Sequence, residues 1–372
     1  MIIAVNTRLR KGEQPAGYED FIFGLLDHVT KKNPQHQFIF ISDKPFDGDR
    51  SFAKNVTPVV TGPETKTRLR LQYWFNYKIP AILRKHKADV FVSMDGICSM
   101  RTKKPQCLIL TDLGFLGHPA SSKKNNYAFY KKHTAGFLAK AKSIATVSDH
   151  SRTVIAGHYK IDEARIDVIR PGVDDIFKPM VWEEKEIVKE KYSDGKSYFL
   201  FSGDIDQRSN LINLLKAFSF FKKRQKSNML LLIAGKTDES FKKELKTFKF
   251  RTEVLLLENL AKEELAKITA AAYAMVYPVS YADLVLPLLQ AMQCGVPLVV
   301  SQTGAIPDIC GDAALYTEPA DFTNIAENMM LVFKDENRAA ALVQAGKALL
   351  PQHQWQGAAD VLMNCILKAT GN

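Results

Sequence analysis

Side chains able to bind a phosphate follow a predicted strand near the middle of the chain. Residues 197–202 form an apolar strand, and the loop after it, residues 203–210, reads Gly-Asp-Ile-Asp-Gln-Arg-Ser-Asn. Arg208 supplies a guanidinium, and a predicted helix begins beside Asn210. A basic side chain next to a helix N-terminus suits an anionic ligand. The alternative, that Asn210 only caps the helix and Arg208 is a surface charge, stays open.

A second stretch, residues 279–311, predicts a loop, a helix and a strand, and it follows a strand-like run at Ala274–Tyr277. Pro287 lies near the start of the helix, where the missing N–H of proline has no partner to lose. Gly295 ends the helix, and residues 298–300 return as a buried strand. Such a unit places its loop at the carboxyl edge of a parallel sheet, where α/β proteins bind ligands.

Length and composition indicate a globular protein of two domains. The chain has 372 residues, of which 46% are apolar, so a large core is available. It contains no apolar run long enough for a membrane span and no signal-peptide pattern at its start. The five cysteines are scattered without a CxxC pair, which disfavours a disulfide framework or a zinc site. We expect a cytoplasmic protein.

The net charge of +11 comes from the first half of the chain. Residues 1–172 contain 28 Lys and Arg against 15 Asp and Glu, whereas residues 173–372 contain 23 against 25. A basic half attracts anionic lipid headgroups, phosphorylated ligands or nucleic acid. The amphipathic segment 71–86 carries Trp74 and Phe75 near several arginines and lysines. We expect salt-sensitive contact with an anionic membrane. The alternative is a solvated basic face, and no nucleic-acid partner is expected because no such motif is present.

Strands alternate with helices twice along the chain, which predicts an α/β protein with two doubly wound parallel sheets. The predicted domains are residues 1–172 and 173–354, with a polar linker and a short helix at 174–195. The predicted strands are 2–5, 37–42, 90–93, 107–110, 143–147, 166–169, 197–202, 229–234, 254–257, 274–277 and 298–300. The predicted helices include 18–31, 71–86, 123–142, 211–224, 240–248, 262–272, 321–333, 336–349 and 355–368, and another that begins at a Ser148 or Asp149 cap.

The order of motifs resembles that of the retaining, family-four nucleotide-sugar glycosyltransferases, or glycosyl transferases group 1, of the GT-B type. Their signature reads roughly E-G-F-G-L-P-x-L-E-A-M-x-C-G-x-P-V-V, followed by P-E-x-x-G-D-A-A-L. The matching positions are Leu286, Pro287, Leu289, Ala291, Met292, Cys294, Gly295, Pro297, Val299, Pro307, Gly311, Asp312, Ala313, Ala314 and Leu315. The resemblance covers nearly the whole chain. It implies two Rossmann-like domains facing a cleft, with the C-terminal helix, in residues 355–372, returning to the N-terminal acceptor domain.

The resemblance implies an enzyme of the hexosyltransferase type in cell-envelope polysaccharide biosynthesis. Such an enzyme moves a sugar from a nucleoside diphosphate sugar to a glycan or lipid-linked acceptor, with retention. It needs no metal or other cofactor, because positioning and electrostatics carry most of the rate. It would lie in the cytoplasm, peripherally at the inner face of the membrane.

The resemblance also implies which residues form the site. The predicted donor-binding residues are Gly17, Gly203, Arg208, Ser209, Asn210, Lys236, Leu286 and Gln290. Thr111 and Asp112 are predicted on the acceptor side. Asp283 adjoins Ala282, the position of a family glutamate beside the donor sugar. We predict that a one-residue shift of the loop makes Asp283 the catalytic carboxylate.

This chain departs from the family at several of these positions. The departures are Glu19 near the first glycine loop, Thr111 for a histidine, Ser209 for a lysine, and Ala282 and Gln290 for glutamates. His118 is a weak substitute for the missing histidine, and Gln290 can still accept a hydrogen bond through its carbonyl oxygen. A catalytically silent homologue that binds a ligand or a partner is therefore the alternative function.

Two further motifs are chance matches. Asp204-Ile205-Asp206 spells D-x-D, a metal-diphosphate motif of a different glycosyltransferase fold. Here it opens a second domain, which is the wrong place for that fold. Gly235-Lys236-Thr237 resembles the end of a P-loop, but Leu230 stands where the first glycine is required.

Overall fold

Two separate parallel sheets organise the chain. The computed structural model describes residues 1–9, 17–46, 50–117, 124–203, 205–237 and 239–371. The first unit contains the described residues up to Gly172, except Gly17, together with the C-terminal residues from Gln354. The second unit contains Gly17 and Val173–His353.

Short apolar runs, buried except at edge strands, form the strands, and every pair among the described strands is parallel. Strands buried on both faces are typical of parallel sheets with helices on either side. The strands of the first unit are β1 (Ile2–Asn6), β2 (Gln37–Ser42), β3 (Val56–Val60), β4 (Val90–Ser93), β5 (Gln106–Leu110), β6 (Ser143–Thr146) and β7 (Ile166–Val168). Those of the second are β8 (Tyr198–Ser202), β9 (Leu230–Ala234), β10 (Val254–Leu257), β11 (Ala274–Tyr277), β12 (Leu298–Ser301) and β13 (Ala314–Thr317).

The helices connect successive strands. In chain order they are α1 (Tyr18–Lys32), α2 (Arg68–Tyr73), α3 (Ile79–Lys85), α4 (Lys124–Lys140), α5 (Asp149–Tyr159), α6 (Trp182–Ser193), α7 (Leu211–Gln225), α8 (Glu239–Leu245), α9 (Lys262–Ala271), α10 (Leu286–Gln293), α11 (Ile306–Cys310), α12 (Phe322–Lys334), α13 (Glu336–Leu349) and α14 (Trp355–Thr370). Ser148 caps α5 as predicted, because its side chain accepts a hydrogen bond from the Ser151 N–H.

The strand order places a ligand crevice in each sheet. The described strands run β3-β2-β1-β4-β5-β6-β7 in the first unit and β10-β9-β8-β11-β12-β13 in the second. The chain therefore reverses direction across the sheet between β1 and β4, and again between β8 and β11. Ligands of doubly wound sheets bind beyond the carboxyl ends of the strands at such a reversal. Two doubly wound Rossmann-like sheets confirm the predicted fold class.

Two local features of the first unit differ from the sequence predictions. The edge strand β3 was not predicted; it is partly exposed and contains Pro58, and both features weaken a strand signal. The predicted continuous helix 71–86 is interrupted by a π-helical turn at Trp74–Lys78, where the Ile79 N–H bonds the carbonyl of Trp74. Pro80 follows and has no N–H to give, so a wider turn accommodates it.

The segment predicted as a linker is part of the second unit. Its helix α6 is 12 residues long. On this helix, Lys191 and Tyr192 bind Glu264 of α9, at 2.8 Å and 2.6 Å. These contacts tie α6 to the sheet domain.

The last helix, α14, packs on the first unit, as expected. The buried Trp355 ring lies 6.4 Å from that of Phe21 and stacks on His28 at 6.1 Å. The final 18 described residues therefore complete the core of a domain that begins more than 300 residues earlier in the chain.

Candidate active site

Loops from four strands of the second sheet meet at its carboxyl edge. Ser280, after β11, donates its N–H to the carbonyl of Arg208, after β8, at 2.8 Å. Thr303, after β12, donates its hydroxyl to the carbonyl of Val279 at 3.3 Å. These bonds connect the loops on both sides of the β8–β11 reversal. The sequence-predicted residues after β8 and β11 are therefore brought together.

Asn210 joins these loops instead of capping α7. Its backbone is left-handed, with φ of 55°, a conformation that asparagine tolerates better than most residues. Its amide donates to the carbonyls of Pro278 and Pro319, at 2.8 Å and 2.6 Å. The alternative that the Asn210 side chain caps the helix is wrong, because its oxygen, which a cap would use as acceptor, instead accepts a hydrogen bond from the Asn213 side chain at 3.0 Å.

Two helix N-termini are left without side-chain caps at this edge. Neither α7 nor α10 has a side-chain hydrogen bond at its N-cap, Asn210 and Val285 respectively. The first N–H groups of a helix lack intrahelical partners and carry a partial positive charge of roughly half a unit. Two such ends near the sheet reversal can hold the oxygens of a diphosphate.

Arg208 places a guanidinium beside α7, where it is paired with the Asp206 carboxylate. Its Nε donates to Asp206 Oδ2 at 3.2 Å, and the Asp206 carboxylate also accepts the backbone N–H groups of Arg208 and Ser209. Asp206 thus fixes the turn that carries the guanidinium. Ser209 is buried, with its hydroxyl donating to the carbonyl of Asp206 at 2.6 Å, so it acts in the fold of the loop.

Asp283 is held in the loop after β11. Its carboxylate is 2% exposed and accepts the hydroxyl of Tyr281 at 2.9 Å. The neighbouring Ala282 carbonyl accepts the Ala305 N–H at 2.9 Å. A Cβ at Gly304, where φ is +57°, would lie 2.2 Å from that carbonyl oxygen, so this approach requires glycine. The loop is rigidly placed, and the catalytic role of Asp283 stays a prediction.

The remaining donor-site predictions on this edge cluster around α10. Gln290 and Leu286 lie on α10, and both are buried. Gly17 has φ of +76°, and a Cβ there would be 3.0 Å from the Leu286 Cβ. The structure therefore places Gly17 beside the start of α10. Among the described residues, the Gln290 side chain has no hydrogen-bond partner.

Lys236 lies in the loop after β9 and is exposed. This loop packs against the start of the Arg208 loop, because a Cβ at Gly235 would lie 2.0 Å from the Gly203 carbonyl oxygen. Next to Lys236, Thr237 donates its hydroxyl and N–H to Glu258, after β10. These bonds, with a smaller contribution from Lys242, lower the pKa of Glu258, which keeps that carboxylate ionised at neutral pH.

The predicted acceptor residues belong to the first unit. Thr111 is buried at the end of β5, and Asp112 accepts the Gly114 N–H at 2.9 Å. Asp112 therefore stabilises the turn after β5. Glu19, which departs from the family near the first glycine loop, is paired with Arg50 at 2.7 Å.

Sequence reasoning missed a buried charged network at the reversal of the first sheet. Arg8, after β1, donates from Nε to Asp95, after β4, at 3.1 Å, and their side chains are 2% and 3% exposed. Arg8 also bonds Thr65 at 3.0 Å, and Thr65 donates to Asp43 at 2.6 Å. The signal was present: two charged residues each follow a strand at the carboxyl edge. Because the network is closed to solvent, it holds the loops after β1 and β4 in place.

The described residues contain no cluster of three or more His, Cys, Asp or Glu side chains that could hold a metal ion. The expectation that no metal is needed stays a prediction. Asp204 of the D-x-D match and His118 lie outside the described residues. Among the helices described, none is both long and apolar enough to cross a membrane.

Comparison with known proteins agrees with this geometry. The glycosyl transferases group 1 family model matches residues 183–349, and the Glycosyltransferase Family 4 model matches residues 17–176. The O-antigen chain mannosyltransferase B of Escherichia coli is 26% identical over 257 residues, which are 68% of each chain.

Solved structures agree as well. WaaG, a glycosyltransferase involved in lipopolysaccharide biosynthesis, superposes with a TM-score of 0.78 at 14% identity, covering 98% of this chain and 99% of WaaG. HepE of Anabaena in complex with UDP-glucose gives 0.75 at 15% identity, covering 98% of this chain and 100% of HepE. Two matched family models, one on each unit, and the shared fold show that this chain belongs to the group 1 glycosyltransferases of the GT-B fold.

Proposed function

We propose that the chain transfers a hexose from a nucleoside diphosphate sugar to a glycan or lipid-linked acceptor, with retention. The similarity to an O-antigen chain mannosyltransferase favours mannose, and therefore GDP-mannose as the first donor to test. The observation that carries the proposal is the backbone hydrogen bond that joins the Arg208 loop, which leads into the uncapped start of α7, to the loop after β11, which leads into the uncapped start of α10. The proposed place of action is the cytoplasmic face of a membrane.

In the proposed reaction, the bond between the sugar C1 and the diphosphate oxygen breaks, and the acceptor oxygen bonds C1. The acceptor proton leaves with the diphosphate. Negative charge grows on the diphosphate as the bond breaks, and the N-termini of α7 and α10 with Arg208 stabilise it. Gln290 accepts a hydrogen bond from the donor ribose through its carbonyl oxygen.

Positive charge develops on the sugar at the same moment. Asp283 is the carboxylate that we assign to this charge. Because Asp283 is buried, we propose that it stabilises the positive charge on the sugar through space and does not contact the sugar. Little water screens the interaction there. Ala282 has no polar side chain, and its carbonyl is already bonded to Ala305.

The activity is tested by incubating the protein with GDP-mannose or UDP-glucose, with and without glycan acceptors. We expect release of the nucleoside diphosphate from at least one donor, and NMR of the product should show the anomeric configuration of the donor. A protein that binds nucleoside diphosphates but releases none from any donor would support the silent homologue.

Asp283→Asn should lower kcat by on the order of 100-fold, because it removes the charge while keeping the shape of the side chain. Tyr281→Phe is the matched control, since it removes the hydroxyl that bonds Asp283 and leaves the carboxylate charged. We expect kcat of the control to fall by no more than about tenfold, because the carboxylate charge that acts on the sugar is kept, although it loses one charge-assisted hydrogen bond. Equal losses in the two variants would show that Asp283 only holds the loop.

A further inference from the structure

The helical segment from α2 to α3 has apolar side chains on two faces, and only one is buried. Leu71, Trp74 and Phe75 enter the core of the first unit. Leu69, Tyr73 and Tyr77 point outward and are 79%, 45% and 48% exposed. They are spaced by four residues, which places them on one side of a helix. The membrane expectation named Trp74 and Phe75, but their burial excludes them as anchors.

The outward side chains form one ordered surface with the loop before β5. The rings of Tyr73 and Tyr77 stack with centroids 5.4 Å apart. The Arg101 guanidinium lies 4.2 Å from the centre of the Tyr77 ring. Met100, which is 49% exposed, donates its N–H to the Asn76 side chain at 2.8 Å. We call Leu69, Tyr73, Tyr77 and Met100 the tyrosine face.

The surroundings of the tyrosine face are basic. Residues 67–104 contain nine Lys and Arg and two acidic residues. One of these, Asp95, is buried against Arg8, and the other, Asp89, accepts the N–H of Ile2 at 2.8 Å. Asp89 is exposed, so the exposed charge along this stretch is predominantly, but not entirely, positive.

We propose that the tyrosine face docks the protein on an anionic lipid bilayer. Contiguous exposed apolar side chains on a soluble domain mark a contact surface. Tyrosine suits the boundary between headgroups and acyl chains, since its ring is apolar and its hydroxyl is wet. The basic surroundings complement anionic headgroups. This proposal does not rest on the proposed enzymatic function.

The test is co-sedimentation with phosphatidylcholine vesicles, with or without about a third of phosphatidylglycerol. We expect binding to the anionic vesicles at low salt and loss of binding near 1 M salt, where the Debye length is about 3 Å.

Each basic residue near such a surface contributes roughly fivefold in affinity. The triple variant Arg68→Gln, Arg70→Gln and Arg101→Gln should therefore bind on the order of 100-fold more weakly. Its control, Lys243→Gln, Lys246→Gln and Lys249→Gln in the second unit, should bind within about threefold of the parent.

A second pair of variants tests the apolar contact. Leu69→Ser, Tyr73→Ser and Tyr77→Ser together should weaken binding to anionic vesicles by on the order of tenfold or more. The matched control replaces Val181, Trp182 and Ile187 with serine; these side chains are exposed near the start of α6 in the second unit. The control should bind the vesicles as the parent does. Circular dichroism checks that each variant folds.

Equal sedimentation with neutral and anionic vesicles at low salt would overturn the proposal. So would a tyrosine-face variant that binds as the parent does. The parent could instead be a dimer in analytical ultracentrifugation and the tyrosine-face variant a monomer, with vesicle binding unchanged. In that case the face contacts a second copy of the chain, and the lipid proposal fails. The same variants are also titrated with nucleoside diphosphate. This distinguishes a loss of vesicle binding from a loss of nucleotide binding, which would concern the proposed enzymatic function.

Discussion

Asp95→Ala is expected to lower the free energy of unfolding of the first unit by about 3–5 kcal/mol. The reason is the state of Arg8 after the change. Arg8 is 2% exposed, and burial, the largest effect, would lower its pKa, but Asp95, with smaller contributions from Tyr130 and Asp43, raises the pKa overall. Without Asp95, a guanidinium that cannot lose its proton at neutral pH remains buried without its main counter-charge.

Urea denaturation of a Trp182→Phe background measures this effect. The chain has three tryptophans, so Trp74 and Trp355, both in the first unit, then provide the fluorescence. The control Asp27→Ala removes an exposed carboxylate paired with Lys31 on α1, which should cost no more than about 0.5 kcal/mol. Replacing both charges, with Arg8→Met and Asp95→Leu, should recover at least about half of the loss. A loss for Asp95→Ala as small as the control's would contradict the buried-pair account.

Trp355→Ala is expected to cost about 3–5 kcal/mol, because it removes a large side chain from the junction of α14 with the first unit. The indole fills the space above two glycines. A Cβ at Gly24 or at Gly172 would lie 2.6 Å from the nearest atom of the Trp355 ring. Nothing smaller can close a gap of this shape, so a cavity remains.

The matched control is Trp182→Ala, since Trp182 is 68% exposed and its removal should change the free energy of unfolding by about 0.5 kcal/mol or less. Thermal unfolding followed by circular dichroism compares the two variants. Equal midpoints would show that α14 contributes little to the first unit. Hydrogen exchange should also show faster exchange in α14 and α1 of Trp355→Ala, and unchanged exchange in both would contradict the proposed junction.

Much of the fold could be predicted because apolar runs of strand length are a local signal. The bounds predicted for β2, β4, β10 and β11 agree with the structure. The missed elements depend on tertiary context. The edge strand β3 carries a proline and exposed residues, and the last edge strand, β13, lies within a motif that was interpreted only as a family signature. The π-helical turn before Pro80 is a response to one residue inside a strongly helical pattern.

The candidate site was predictable in its position but not in its bonding. Arg208 and the start of α7 do meet the loop after β11, because strand order alone brings them together. The partners of each side chain were not predictable. Asn210 holds two distant carbonyls, and Asp283 binds Tyr281. The Arg8–Asp95 pair joins residues 87 positions apart, and no local pattern connects them.

Calorimetric titration of GDP and UDP into the parent protein and Arg208→Ala tests the central claim most directly. We expect the parent to bind at least one of them, and Arg208→Ala to bind it on the order of tenfold or more weakly, since a charge-assisted contact contributes about 1.5–3 kcal/mol. The control is Arg224→Ala, in the last turn of the same 15-residue helix, roughly 20 Å from the proposed site, which should leave the affinity unchanged. A parent that binds neither nucleotide would contradict the proposed function, and tight binding that Arg208→Ala leaves unchanged would show that the diphosphate site lies elsewhere.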